Sequence, residues 1–220
     1  MPTTHLISGL GADKMAFCAL GKFTEAKLNY VDWISNAKDE SLSSYATRLI
    51  ELNKIAKEDT LIGLSFGGLV AQEIANQLGM ELVILISSFR DKRDLKPIFE
   101  NLLKMGAYKL IPSVKLNSLN SFVRGMFNSQ SEESKKVLNE MLNKTDIELT
   151  KWSIQKIDES DNTSGGRTKI YNIIGDSDKL VKNWEVENTY EIVGGGHFMV
   201  FENAFEITGI LKSIMKTEMS

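Results

Sequence analysis

Short apolar runs alternate along the chain with longer stretches in which apolar residues recur every three or four positions. His5-Leu6-Ile7 runs into Ser8-Gly9-Leu10-Gly11, the pattern of a strand that ends in a glycine turn. Comparable runs occupy Leu28–Ile34, Thr60–Leu64, Leu82–Ile86, Lys169–Ile174 and Thr189–Val193. Runs this apolar, bounded by Gly, Ser or Asp, suit strands buried on both faces of a parallel sheet. Between them Tyr45, Leu49, Leu52 and Ile55 share helical spacing, as do Leu69, Ala71, Ile74, Ala75 and Leu78. Gly79 follows the second group where a helix would stop. Near the end Ile207, Ile210, Leu211 and Ile214 form one stripe, with Asn203 and Glu206 spaced as a cap before it. This alternation predicts an α/β protein with a doubly wound, mostly parallel sheet.

The alternation breaks between about 91 and 166. Leu95, Phe99, Leu102 and Leu103, then Val137, Leu138, Met141 and Leu142, keep helical spacing. Thr145 and Glu148 have capping-box spacing ahead of Leu149 and Trp152, and Asp161–Gly166 reads as a polar return loop. The stretch is expected to be a helical cap insertion over the sheet, within a single domain spanning 1–220.

Composition narrows the class. The 220 residues, 42% hydrophobic and 25% charged, suffice for one sizeable core. A net charge of −3, with no block of like charge, argues against a nucleic-acid footprint and a polybasic membrane patch. No apolar run approaches the ~20 residues of a membrane span, and the start shows no export leader. A soluble cytoplasmic protein is the expectation. Cys18 is the single cysteine, so no intrachain disulfide can form, and it reads as a small buried residue. Two histidines and one cysteine are too few for a zinc site with the usual ligands. No metal or organic cofactor is expected.

The most informative segment is Gly63-Leu64-Ser65-Phe66-Gly67-Gly68, which follows an apolar strand and opens an amphipathic helix. A sharp strand-to-helix turn forces its central residue into strained backbone angles, and flanking glycines let neighbouring chains approach. Ser65 Oγ would then stand above the carboxyl edge of the sheet. The first glycine cluster does not fit dinucleotide binding, because Lys14 occupies the position of the third glycine.

In this segment the chain resembles the α/β-hydrolase superfamily, a likeness running from about Thr4 to the end and weakest in the insertion. The resemblance implies a Ser…Asp…His order of catalytic residues. His197 follows Gly194-Gly195-Gly196 after the last strand, in a loop similar to the family's histidine loop, and is the implied base. His5 lies at a strand start and reads as structural. The family's Gly-x-x-Asp pattern selects Asp178 over Asp176 in Gly175-Asp176-Ser177-Asp178, leaving Asp176 to shape the turn. The backbone amides of Leu10 and Phe66 are the implied oxyanion donors; Ser8 stands where many relatives carry His. Only Met1–Thr4 precede the first strand, so the likeness implies about six strands instead of eight. Phe99, Met126, Phe127, Trp152 and Phe198 are candidates to line an acyl pocket, although helical spacing alone more often means core packing. Asp32 and Trp33 end the second strand near the expected site and take no role.

The reading that results is a serine hydrolase acting on a small-molecule ester or other acyl substrate, without nucleic acid or membrane as partner. Thioester, carbon–carbon or lactone hydrolysis, acyl transfer, and a ligand-binding receptor on the same scaffold remain alternatives, since a fold does not choose among them.

Overall fold

Each of the six apolar runs forms a strand in the computed structural model, which describes residues 2–104, 127, 129, 131–161, 168–184 and 186–218. The strands are β1 (Thr3–Ile7), β2 (Lys27–Val31), β3 (Thr60–Leu64), β4 (Leu82–Ile86), β5 (Lys169–Gly175) and β6 (Asn188–Ile192). They form one sheet in the order β2-β1-β3-β4-β5-β6, with every neighbouring pair parallel. All five residues of β3 are buried, which is why its run is continuously apolar, while edge strands β2 and β6 are largely half-buried or exposed.

Successive side chains point to opposite faces of a strand, and the core divides accordingly. Leu61, Val83 and Leu85 face Tyr45 and Leu49 of α1 (Leu42–Asn53) and Leu69 and Ile74 of α2 (Phe66–Leu78). Ile62, Ile84 and Ile86 face the other way. With short α6 (Met199–Glu202), α7 (Ala204–Glu218) covers that second face through Ile207, Leu211 and Ile214. Gly79 ends α2 at φ 63°, the left-handed conformation glycine adopts freely.

The insertion contains α3 (Pro97–Lys104), α4 (Glu132–Asn143) and α5 (Ile147–Glu159). Its beginning is stitched to the segment after β5: Leu95 bridges Val181, and the Lys96 amide donates to Leu180 O at 2.8 Å. Farther on, Trp152 Nε1 donates to Glu40 O at 2.9 Å.

Several details depart from the sequence expectations. Leu52 is 64% exposed, because the face of α1 that packs on the sheet is the one carrying Tyr45, Ala46 and Leu49. The cap of α5 is Asp146, whose carboxylate accepts from the Glu148 and Leu149 amides; Thr145 instead donates its hydroxyl to Gly11 O and Met141 O. Cys18 is exposed, not buried, since it follows a one-turn 3-10 helix whose buried residues are Ala16 and Phe17. Met126 and residues 162–166 of the expected return loop lie outside the described residues. Among the described residues no helix is long and apolar enough to cross a membrane.

Candidate active site

The strand order reverses direction at β1: β2 lies on one side of it and β3 on the other. Loops leaving the carboxyl ends of two such strands diverge and open a crevice. The loop after β1 holds residues 8–12, and the turn after β3 holds Ser65.

Ser65 has φ 52° and ψ −123°, a conformation that glycine tolerates and other residues adopt only under constraint. The constraint is visible. Its amide donates to Ile86 O at 3.0 Å, and its carbonyl accepts from the Gly68 amide at 2.9 Å and the Ser88 hydroxyl at 2.7 Å. Gly67 lets the turn press against the first loop, since a Cβ there would lie 2.2 Å from Ser8 O. Ser8 itself closes that loop by donating Oγ to Ala12 O at 2.8 Å.

His197 and Asp178 arrive on two loops that are bonded to each other. Ser177 N donates to Gly195 O at 3.0 Å, and a Cβ on Gly175 would lie 2.1 Å from the same oxygen, so the contact requires glycine. Asp176 is exposed and accepts from the Gly194 amide at 2.8 Å, bracing the histidine loop without reaching the imidazole. Asp178 is 3% exposed, His197 2%. Asp178 Oδ2 lies 2.8 Å from His197 Nδ1, and His197 Nε2 lies 2.9 Å from Ser65 Oγ. The other carboxylate oxygen accepts from the Leu180 and Val181 amides at 2.7 and 3.1 Å. Burial alone would push the Asp178 carboxyl up. The charge and hydrogen bond of His197, with those two amides, more than offset it and hold the carboxyl below its ordinary value. An ionised carboxylate only accepts, so Nδ1 carries the proton and Nε2 is left to accept from the serine hydroxyl.

The sequence therefore places Ser65, Asp178 and His197 in one hydrogen-bonded line. Leu10 and Phe66 flank it, both in the wall of a cavity of about 120 Å³ that also contains Ser65 and His197. As the first residue of α2, Phe66 has no intrahelical acceptor for its N–H, and the Leu10 N–H has no acceptor among the described residues. Of the residues expected to line a pocket, Phe99 and Phe127 do so. Trp152 does not: it packs behind the wall on Tyr45 (ring centroids 4.5 Å apart) and Phe66 (6.1 Å). Phe198 is likewise core, between Phe127 and Phe201.

His5, as the second histidine, is buried away from this line. Its Nε2 lies 3.1 Å from Asp59 Oδ2 and its Nδ1 3.0 Å from Asn29 Nδ2. Two contributions were not legible in the sequence. Phe127 sets its ring edge-on to His197 at 5.1 Å, and its carbonyl accepts from the Phe198 amide. Thr145 reaches the first loop through Gly11 O at 3.2 Å. The sequence marks Phe127 only as a pocket candidate and Thr145 only as a cap candidate; the contacts themselves are not legible, because each depends on a partner far along the chain. Among the described residues no three His, Cys, Asp or Glu side chains gather as a metal site.

No protein-family pattern matches the sequence, and no curated protein matches it. Solved structures do. A lipase-esterase related protein from Clostridium acetobutylicum ATCC 824 is 21% identical with a TM-score of 0.70, covering 96% of this chain and 93% of its own. A thermophilic esterase from Thermogutta terrifontis is 14% identical with a TM-score of 0.74, covering 99% and 90%. A hydrolase from Oleispira antarctica is 17% identical with a TM-score of 0.73, covering 98% and 91%. Identities this low establish a shared architecture, and with the parallel six-stranded sheet and its crevice they give the chain the α/β-hydrolase fold.

Proposed function

We propose that the protein is a serine hydrolase that cleaves a small ester, or another acyl bond, through an acyl-enzyme on Ser65. The observation that carries this reading is the line Ser65 Oγ–His197 Nε2–Asp178, anchored at a strained turn. A serine hydroxyl is a weak nucleophile until a base takes its proton. His197 Nε2 accepts that proton as Ser65 Oγ bonds to the substrate carbonyl carbon. The carbonyl oxygen becomes an oxyanion, and the Leu10 and Phe66 amides donate to it. Asp178 stabilises the imidazolium and stays ionised. The imidazolium then protonates the leaving oxygen as its bond to carbon breaks. Water, deprotonated by the same histidine, releases the acid and restores Ser65.

The cavity supports a small, apolar acyl group, since Leu10, Phe66, Phe99, Leu142 and Ile154 contribute to its wall. The esterase and lipase-esterase names among the structural neighbours support hydrolysis as the reaction class. A fluorophosphonate probe and p-nitrophenyl butyrate test the reading. The folded protein should be labelled and should release p-nitrophenol, and Ser65→Ala should lose both, with kcat down about 10³-fold or more. Hydrolysis that survives in Ser65→Ala would overturn the assignment. Failure of the folded wild type to label would favour a binding protein on this scaffold.

A further inference from the structure

We propose that Trp33 is a positioning residue for the oxyanion hole, its indole holding from two sides the peptide units that present the Leu10 and Phe66 amides. The inference rests on the serine-hydrolase reading above and extends it to a residue just beyond β2, an edge strand with no other part in the site.

The first side is a hydrogen bond. Trp33 Nε1 donates to Gly9 O at 3.3 Å, and the Ala12 amide donates to the same oxygen at 3.0 Å. Gly9 C=O and Leu10 N–H belong to one planar trans unit, in which the two bonds point in opposite directions. Fixing the oxygen on the Trp33 side therefore turns the Leu10 N–H the other way. The unit borders the nucleophile: a Cβ built on Gly9 would lie 3.8 Å from Ser65 Oγ. The Ala12 bond belongs to the loop itself, whereas the Trp33 bond ties the loop to the rest of the molecule.

The second side is a ring contact. The Trp33 indole stacks on Phe66 with centroids 5.6 Å apart and planes 28° apart. Phe66 is held on another side by Trp152, edge-on at 6.1 Å. The Phe66 ring is thereby held between two indoles at the start of α2, which limits movement of the residue that carries the second amide. One indole thus touches the segment of each donor and sets their relative position. Trp33 is itself secured, because Tyr45 OH donates to the carbonyl of the next residue, Ile34, at 2.7 Å, and the Ile34 amide donates back to that hydroxyl at 3.1 Å.

A residue that only fills space would lower stability when truncated and leave the balance of kcat and KM alone. Positioning predicts a loss confined to the transition state. The test uses the full chain with p-nitrophenyl butyrate and a butyl trifluoromethyl ketone, whose serine hemiketal places an oxyanion in the hole. Trp33→Phe keeps an aromatic ring and removes the donor. Trp33→benzothienylalanine keeps the indole shape and replaces the N–H by sulfur. Each should lower kcat about ten-fold, a fraction of the 10²–10³-fold typical for deleting an oxyanion donor. KM should stay within about two-fold, and the ketone's Ki should rise in step with the fall in kcat. Unchanged kcat and Ki in the folded benzothienylalanine variant would overturn the proposal, as would a rise in KM alone. Ser65→Ala run in parallel separates the two ideas: if it stays active the serine-hydrolase reading fails, whereas an inactive Ser65→Ala beside fully active Trp33 variants removes only the role of Trp33.

Discussion

Asp178 links the fold to the proposed chemistry through one side chain. Its two oxygens accept three hydrogen bonds, from His197 Nδ1 and from the Leu180 and Val181 amides, and together these outweigh the cost of burying a carboxylate. Asp178→Asn keeps the size but presents an amide N–H to Nδ1, or else a neutral oxygen. The imidazole is then pushed toward the tautomer with its proton on Nε2, which cannot accept from Ser65. The expected result is a fall in kcat of about 10³- to 10⁴-fold with KM little changed, read from steady-state ester hydrolysis. Stability carries a second signature. Because the carboxyl is held below its ordinary value in the folded protein, its contribution is present above the ordinary carboxylate range of about 4. It is lost as pH falls through the lower, folded value. Urea midpoints at pH 7 and pH 3 should therefore fall farther for wild type than for Asp178→Asn; parallel falls would count against the pairing. A family pattern singles out Asp178 from Asp176. The physical difference is burial: Asp176 stays at the surface and braces Gly194.

Among the elements, the Tyr45 phenol joins α1 to the segment leaving β2. Tyr45 is fully buried, and burial pushes its hydroxyl up to about 12, with its bond to Ile34 and the charge of Arg48 offsetting only part of that. The protonated form is the one the fold favours. Its contribution is whole below the ordinary value near 10 and disappears as pH rises from there through about 12. Tyr45→Phe strips Ile34 of partners for both its N–H and its C=O, and should cost about 1–3 kcal/mol by urea denaturation at pH 7. It should also flatten the loss of stability between pH 10 and 12; an equally steep loss would show that another group governs it. The strands and α2 were legible because each announces itself locally, by a run of β-branched or aliphatic residues or by a stop such as Gly79. The Tyr45–Ile34 clamp, the bond from Trp33 to Gly9 and the bond from Thr145 to Gly11 were not, because their partners lie 11, 24 and 134 positions away. What spacing leaves open or misassigns has the same origin. Helical spacing places Trp152 on an apolar face but does not say that this face meets Tyr45 instead of the cavity, and Thr145–Glu148 spacing does not reveal that Asp146 wins the cap.

For the molecule as a whole, the cavity exists because two layers meet over the carboxyl edge of the sheet. The core supplies Leu10, Ser65, Phe66 and His197; the insertion supplies Phe99 from α3, Leu142 from α4 and Ile154 from α5. The insertion is fastened to the core close to the reacting groups. Thr145 bonds to the first loop, and the Ser131 amide at the start of α4 donates to Glu202, in the helix that follows His197, at 2.9 Å. On the proposed reading, with Ser65 and His197 held at the sheet edge, the length of acyl chain accepted would be set by the helices above it. The helices line the cavity with apolar side chains, so one enlarged side chain should shorten the accepted chain without disturbing Ser65 or His197. Ile154 is suited to this test: it is half-buried on α5 and part of the cavity wall. Ile154→Trp should lower kcat/KM for p-nitrophenyl hexanoate at least about ten-fold relative to p-nitrophenyl acetate, the order of discrimination that a filled apolar pocket gives. The acetate rate should stay near wild type, because its acyl group occupies only the end nearest Ser65. An equal loss for both esters would mean that the new indole had displaced the catalytic line, and an unchanged ratio would mean that the acyl chain lies elsewhere.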